Sequence, residues 1–109
     1  MHETSALIVY CSVPDKATGK KLAKTVVEEG LCACVNLIPS VTSFYIYDGQ
    51  FCEDDEEILI IKTDALRYKA LETRLFELHP YEVPEIIASE IADGSDSYMD
   101  WLRKSLKPL

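Results

Sequence analysis

Cys11 and His79 are the residues whose chemistry stands out in this chain. Cys11 follows the apolar run "ALIVY" and precedes Pro14 and Asp15 by a few positions. A thiol there is expected at the end of a strand and just before a helix, where the helix dipole lowers its pKa and side chains reach solvent. His79, the only internal histidine, stands in "ELHPYEVPEIIA", residues 77–88, between a helix-like segment and two prolines. A soft thiolate and a borderline imidazole together suit copper or zinc. Such an isolated pair is a weak signal, and the competing reading is a histidine that hydrogen-bonds backbone in a proline-rich turn.

Other clusters read as structural. Cys32 and Cys34 lie two apart on an expected strand, so both should project from one face as small core side chains. No second cysteine pair completes a zinc motif. The run "EDDEE", residues 53–57, sends its carboxylates alternately to opposite faces and lacks the spacing of a calcium loop, so it reads as a solvated strand start. Lys16, Lys20 and Lys24 recur at helical spacing beside Lys21, the pattern of a wet helix face, with no glycine-rich loop nearby to cradle a phosphate. No nucleophile elbow or metalloprotease motif occurs, and the chain is read as a non-enzyme.

The elements that must position these residues are legible from periodicity and punctuation. Residues 6–13 are continuous enough in apolar and β-branched side chains for a central strand buried on both faces. A helix follows from about residue 15 to 29, started by Pro14 and Asp15 and stopped by Gly30. Residues 33–47 form a strand that must bulge or bend at Pro39, since proline cannot donate to a ladder. Asp48 and Gly49 signal a tight hairpin, and residues 51–62 return alongside. Tyr68, Leu71, Leu75 and Leu78 give a second amphipathic helix over 65–78, ended by Pro80, which biases His79 to an extended backbone. A strand over 83–91 and a helix capped by Ser95 complete a β-α-β-β-α-β order with a terminal helix. That is an α+β chain of the ferredoxin-like split β-α-β class, one domain over residues 1–109, with helices on one sheet face.

The long hairpin carries Phe44, Tyr45, Tyr47 and Phe51, more apolar surface than one subunit can bury, and an exposed edge of that length is normally paired. A homo-oligomer closed through the hairpin arms is therefore expected. The balance of 19 acidic against 11 basic residues, a net charge of −8, repels a phosphate backbone, so nucleic acid is not an expected partner. The N-terminal stretch has no basic leader, and its apolar run is too short for a signal core or membrane span, which points to a cytoplasmic protein with no membrane partner and four reduced cysteines.

The segments "CSVPD", "EEGLCACVNLIPSVTSFYIYDG", "EILIIKT", "LHPYEVPEIIA" and "SYMDWL" together resemble the CutA family of divalent cation tolerance proteins over nearly the whole chain. The resemblance implies a ferredoxin-like subunit in a tight homotrimer, tolerance of copper and other divalent cations, and copper ligation by Cys11 and His79. Some members carry two successive histidines before Pro-Tyr, where this chain has Leu78 and His79; Tyr47 and Gln50 also stand where the family often has tryptophan and lysine. The family's architecture is similar to that of trimeric PII signalling proteins, so the alternative is a sensor or scaffold. In that reading Lys62, Tyr81 and Glu85 would line an intersubunit cleft with Cys11 and His79 and receive a small effector.

Overall fold

The computed structural model describes residues 5–109, so part of the N-terminal stretch read as leaderless lies outside the described residues. Seven elements follow one another: β1 (Ala6–Val13), α1 (Lys16–Glu28), β2 (Cys34–Tyr47), β3 (Gln50–Asp64), α2 (Tyr68–Leu78), β4 (Ile86–Glu90) and α3 (Asp96–Lys104). The strands form one antiparallel sheet in the order β2-β3-β1-β4, which puts β1 in the interior as expected. No helix among the described residues is long and apolar enough to cross a membrane.

The phase of β1 decides what each of its residues can do. Val9, Cys11 and Val13 are fully buried on the helix side, where Cys11 lies opposite Leu59 on β3 and Ile86 on β4. Leu22 and Val26 of α1 and Leu71 and Leu75 of α2 close over this row. Each such side chain removed from water contributes roughly 1.5–3 kcal/mol. The alternate residues Ile8 and Tyr10 face the other side and are only half-buried, with Ile58 and Ile60 beside them, so in this chain β1 is fully buried on one face rather than both.

Local signals account for the element ends. Asp15 caps α1 by accepting the Thr18 N–H at 2.7 Å, which holds its carboxyl below the usual range. The pairing of β2 with β3 shifts between Ile38 and Val41, and Ser40 takes φ of 63°, so the chain bulges beside Pro39 as expected. Asp48 and Gly49 both have positive φ, 52° and 76°, as the tight hairpin requires. β4 is shorter than the expected 83–91. Residues 83–85 remain in the loop that follows Pro80, because the prolines at 80 and 84 withhold ladder donors there.

Gly30 ends α1 with φ of 72°, and its carbonyl accepts the Lys107 N–H at 3.0 Å. A Cβ at residue 30 would stand 2.6 Å from the Lys107 Cβ, so the C-terminal segment rests directly on the glycine. Arg67 fastens the same segment, bonding the Asp64 carboxylate and the Lys107 carbonyl. Gly30→Ala should therefore destabilise the protein by about 1–2 kcal/mol from left-handed backbone strain alone. A fall of at least about 4 °C in the thermal midpoint is expected for a chain of this size, and an unchanged midpoint would remove the clamp from the account.

Candidate functional site

Pro80 denies the preceding residue a helical backbone, and His79 caps α2 in an extended conformation, φ −77° and ψ 137°. The ring thereby swings back toward the end of β1 and is only 8% exposed. Its Nε2 lies 2.7 Å from the Ser12 carbonyl oxygen, and its Nδ1 accepts the Tyr81 N–H at 3.1 Å. A nitrogen that accepts carries no proton, so these partners assign the proton to Nε2, which donates to Ser12. The histidine is thus a two-sided clasp that joins the loop after α2 to the central strand.

The Cys11 thiol points at the same Ser12 oxygen, 3.8 Å away, so the structure brings Cys11 and His79 together at one carbonyl. The environment expected for Cys11 is corrected, however. Its side chain is on the helix side of the sheet with no exposed surface, and burial pushes the thiol up to about 12, with the negative charges of Glu85 and Glu56 adding to the effect. Desolvation outweighs any helix dipole here. Cys32 and Cys34 do not share a strand face either: Cys32 lies in the irregular stretch before β2 and is buried in the core, whereas Cys34 begins the strand and is half-buried. All four cysteines are free.

On the other side of β1, Ser12 opens onto a groove of about 720 Å³ between the hairpin and residues 80–85. The Tyr81 hydroxyl donates to Glu56 Oε2 at 2.7 Å, and the Tyr81 ring lies 4.8 Å from that of His79. Burial and the Glu56 carboxylate hold this phenol well above its ordinary range. Glu85 also lines the groove. Lys62 does not: it stands opposite Ile8, four residues along β3 from Ile58, the residue that pairs with Ser12, and bonds Asn36 and the Cys34 sulfur. The chain therefore gathers Cys11, His79, Tyr81 and Glu85 at one end of the sheet and places Lys62 at the other.

Glu56 is the site residue that sequence reading missed. The run "EDDEE" is solvated at Glu53, Asp54 and Asp55, but Glu56 is only 7% exposed. Glu57 Oε1 is also buried, and no partner reaches it among the described residues. Strand alternation held the clue, since Glu56 shares a face with Ile58 and hence with Ser12. Among the described residues, no three histidine, cysteine or carboxylate side chains gather closely enough to hold a metal ion as they stand.

Thiol accessibility checks this geometry. Brief alkylation of the native protein near pH 8 should label the half-buried Cys34 and Cys52 and spare Cys11 and Cys32. Mass spectrometry of peptides would read the pattern, and early labelling of Cys11 would contradict its buried, protonated state.

Residues 7–105 match the family model described as CutA1 divalent ion tolerance protein. The divalent-cation tolerance protein CutA of Thermus thermophilus is 44% identical over 98 residues, covering 90% of this chain and 95% of that protein. The chloroplastic CutA protein of Arabidopsis thaliana is 43% identical over 102 residues, 94% of this chain but 56% of the plant protein, so this chain spans little more than half of that relative. Among solved structures, the Thermus thermophilus protein superimposes with a TM-score of 0.91 at 42% identity, covering 94% of this chain and 99% of that one. CutA1 from Oryza sativa superimposes with a TM-score of 0.93 at 40% identity, covering 96% of both. By sequence and by fold, the chain belongs to the CutA1 divalent ion tolerance family.

Proposed function

We propose that this chain serves divalent-cation tolerance as a cytoplasmic, ferredoxin-like homotrimer that binds copper, and that it is a binding protein rather than an enzyme. The observation that carries the reading is the meeting of a thiol and an imidazole at the Ser12 carbonyl. These donors suit copper by type; the thiol must lose its proton, and the neutral ring must release a backbone partner to offer a lone pair. Leu78 contributes no second imidazole, so Cys11 and His79 supply the protein's donors at this point. Glu85 and Glu56, whose charge reaches the Cys11 thiol, add electrostatic attraction for a cation. Since protons compete for the thiol and the imidazole, affinity should fall as pH falls.

Titration of the reduced protein with copper against a chelator tests this reading. His79→Ala and Cys11→Ser should each weaken binding by more than about tenfold, as losing even a supporting partner of a metal ligand costs 10–100-fold. Circular dichroism would confirm that both variants fold. Weak binding indifferent to both substitutions would end the copper reading.

Support for the trimer comes from what one subunit leaves uncovered. Ile38 and Ile87 are exposed on the sheet face away from α1 and α2, and Phe44, Ile46 and Phe51 are exposed on the hairpin. Apolar surface of this extent marks an interaction site. Light scattering should give three times the 12.3 kDa chain mass, and Ile46→Asp should shift the population toward smaller species. A monomeric mass at micromolar concentration would refute the assembly.

A second reading, a sensor that takes a small effector, is favoured by the groove beside Tyr81 and Glu85. Lys62 would join them only across a subunit boundary. This reading requires a metabolite to raise the thermal midpoint without any metal present.

A further inference from the structure

The groove contains a buried carboxyl group that lacks an ion-pair partner among the described residues. Glu56 is more than nine-tenths buried and is held by the Tyr81 hydroxyl, yet among the described residues it forms no ion pair. Buried carboxylates are normally paired, because desolvating an uncompensated charge is expensive. Glu85 likewise makes no ion pair, and Glu82 has only the Tyr47 hydroxyl at 3.5 Å. Among the described residues, no lysine, arginine or histidine lines the groove. A cationic ligand would supply the counter-charge that one subunit lacks here.

The walls say what kind of cation. Phe44, Tyr45, Tyr47 and Tyr81 surround the carboxylates, and aromatic faces attract organic cations while giving their apolar bodies a surface to lie on. A small metal ion needs several oxygens converging on one point, and Glu56, Glu82 and Glu85 do not converge in that way. Separated carboxylates suit a ligand whose positive charges are themselves separated along a chain. The volume, about 720 Å³, falls within the usual range of small-molecule sites, roughly 300–1,000 Å³.

We propose that this groove binds a linear aliphatic polyamine, with its ammonium groups at Glu56 and Glu85 and its methylene segments against the tyrosine rings. The inference rests on the effector reading of the groove and uses neither Cys11 nor His79 as a contact. It assigns the ligand class as cationic, because the groove's three carboxylates outnumber the single Lys62 that a neighbouring subunit would bring to it.

Calorimetric titration of the assembled protein with spermidine tests it, alongside magnesium and ATP at matched ionic strength. Spermidine should saturate the groove, with binding that weakens as salt rises. Glu56→Gln and Glu85→Gln should each weaken it roughly tenfold, the scale of one charge-assisted contact. Because Glu85 is exposed, its variant gives a reading even if Glu56→Gln perturbs folding. Equal binding of magnesium, or spermidine binding unchanged in both variants, would overturn the proposal. ATP binding in the groove without spermidine binding would overturn the polyamine but leave an effector site. Failure of all three probes, as when a neighbouring subunit fills the groove, would overturn the polyamine and leave the effector reading without support.

Discussion

The hydrogen bond from His79 Nε2 to the Ser12 carbonyl is the contact on which the site depends. It ties the loop after α2 to the end of the central strand, and the Tyr81 N–H bond to Nδ1 fixes the ring from the other side. Tyr81 can then reach Glu56, and residues 80–85 form a wall rather than a free loop. The same bond brings the imidazole to the oxygen at which the Cys11 thiol points. A cation bound at this ring, as proposed, would begin from an imidazole already committed to the backbone. That commitment gives rigidity at the expense of availability.

β1 separates two chemical environments with consecutive residues. Cys11 faces the helices, in a medium dry enough to keep its thiol protonated; Ser12 faces the groove, where three carboxylates and four aromatic rings gather. A one-residue slip in the register of this strand would exchange the two faces. The site therefore depends on register, which the row Val9, Cys11 and Val13 fixes by packing under α1 and α2.

Much of the fold was legible in sequence because its signals are local. Asp48-Gly49 specified the turn, Pro39 the bulge, Gly30 the helix stop and Pro80 the extended His79, each through backbone sterics that act within a few residues. The candidate site was less legible because it depends on strand phase. "ALIVYCSV" is apolar at nearly every position, so it does not announce which alternate residues face the core, and Cys11 was expected in solvent. Glu56 stayed hidden inside a run of like charges, where composition suggests water and only alternation distinguishes one carboxylate from the next. Lys62, grouped with Tyr81 and Glu85 in a cleft between subunits, stands toward the far end of the sheet within the chain itself, so sequence within one chain does not test that grouping.

The hairpin has two parts with different support. From Glu57 onward β3 is flanked by β1, whereas residues 41–47 and 50–56 pair only with each other. A two-stranded ribbon is marginal by itself in water, so its order draws on whatever packs against it. This ribbon also supplies Phe44, Tyr45, Tyr47 and Glu56 to the groove. In the proposed assembly, occupancy of the groove and subunit association would be linked equilibria: a ligand that prefers the ordered ribbon would tighten the assembly, and dilution of the assembly would loosen the ligand by the same factor.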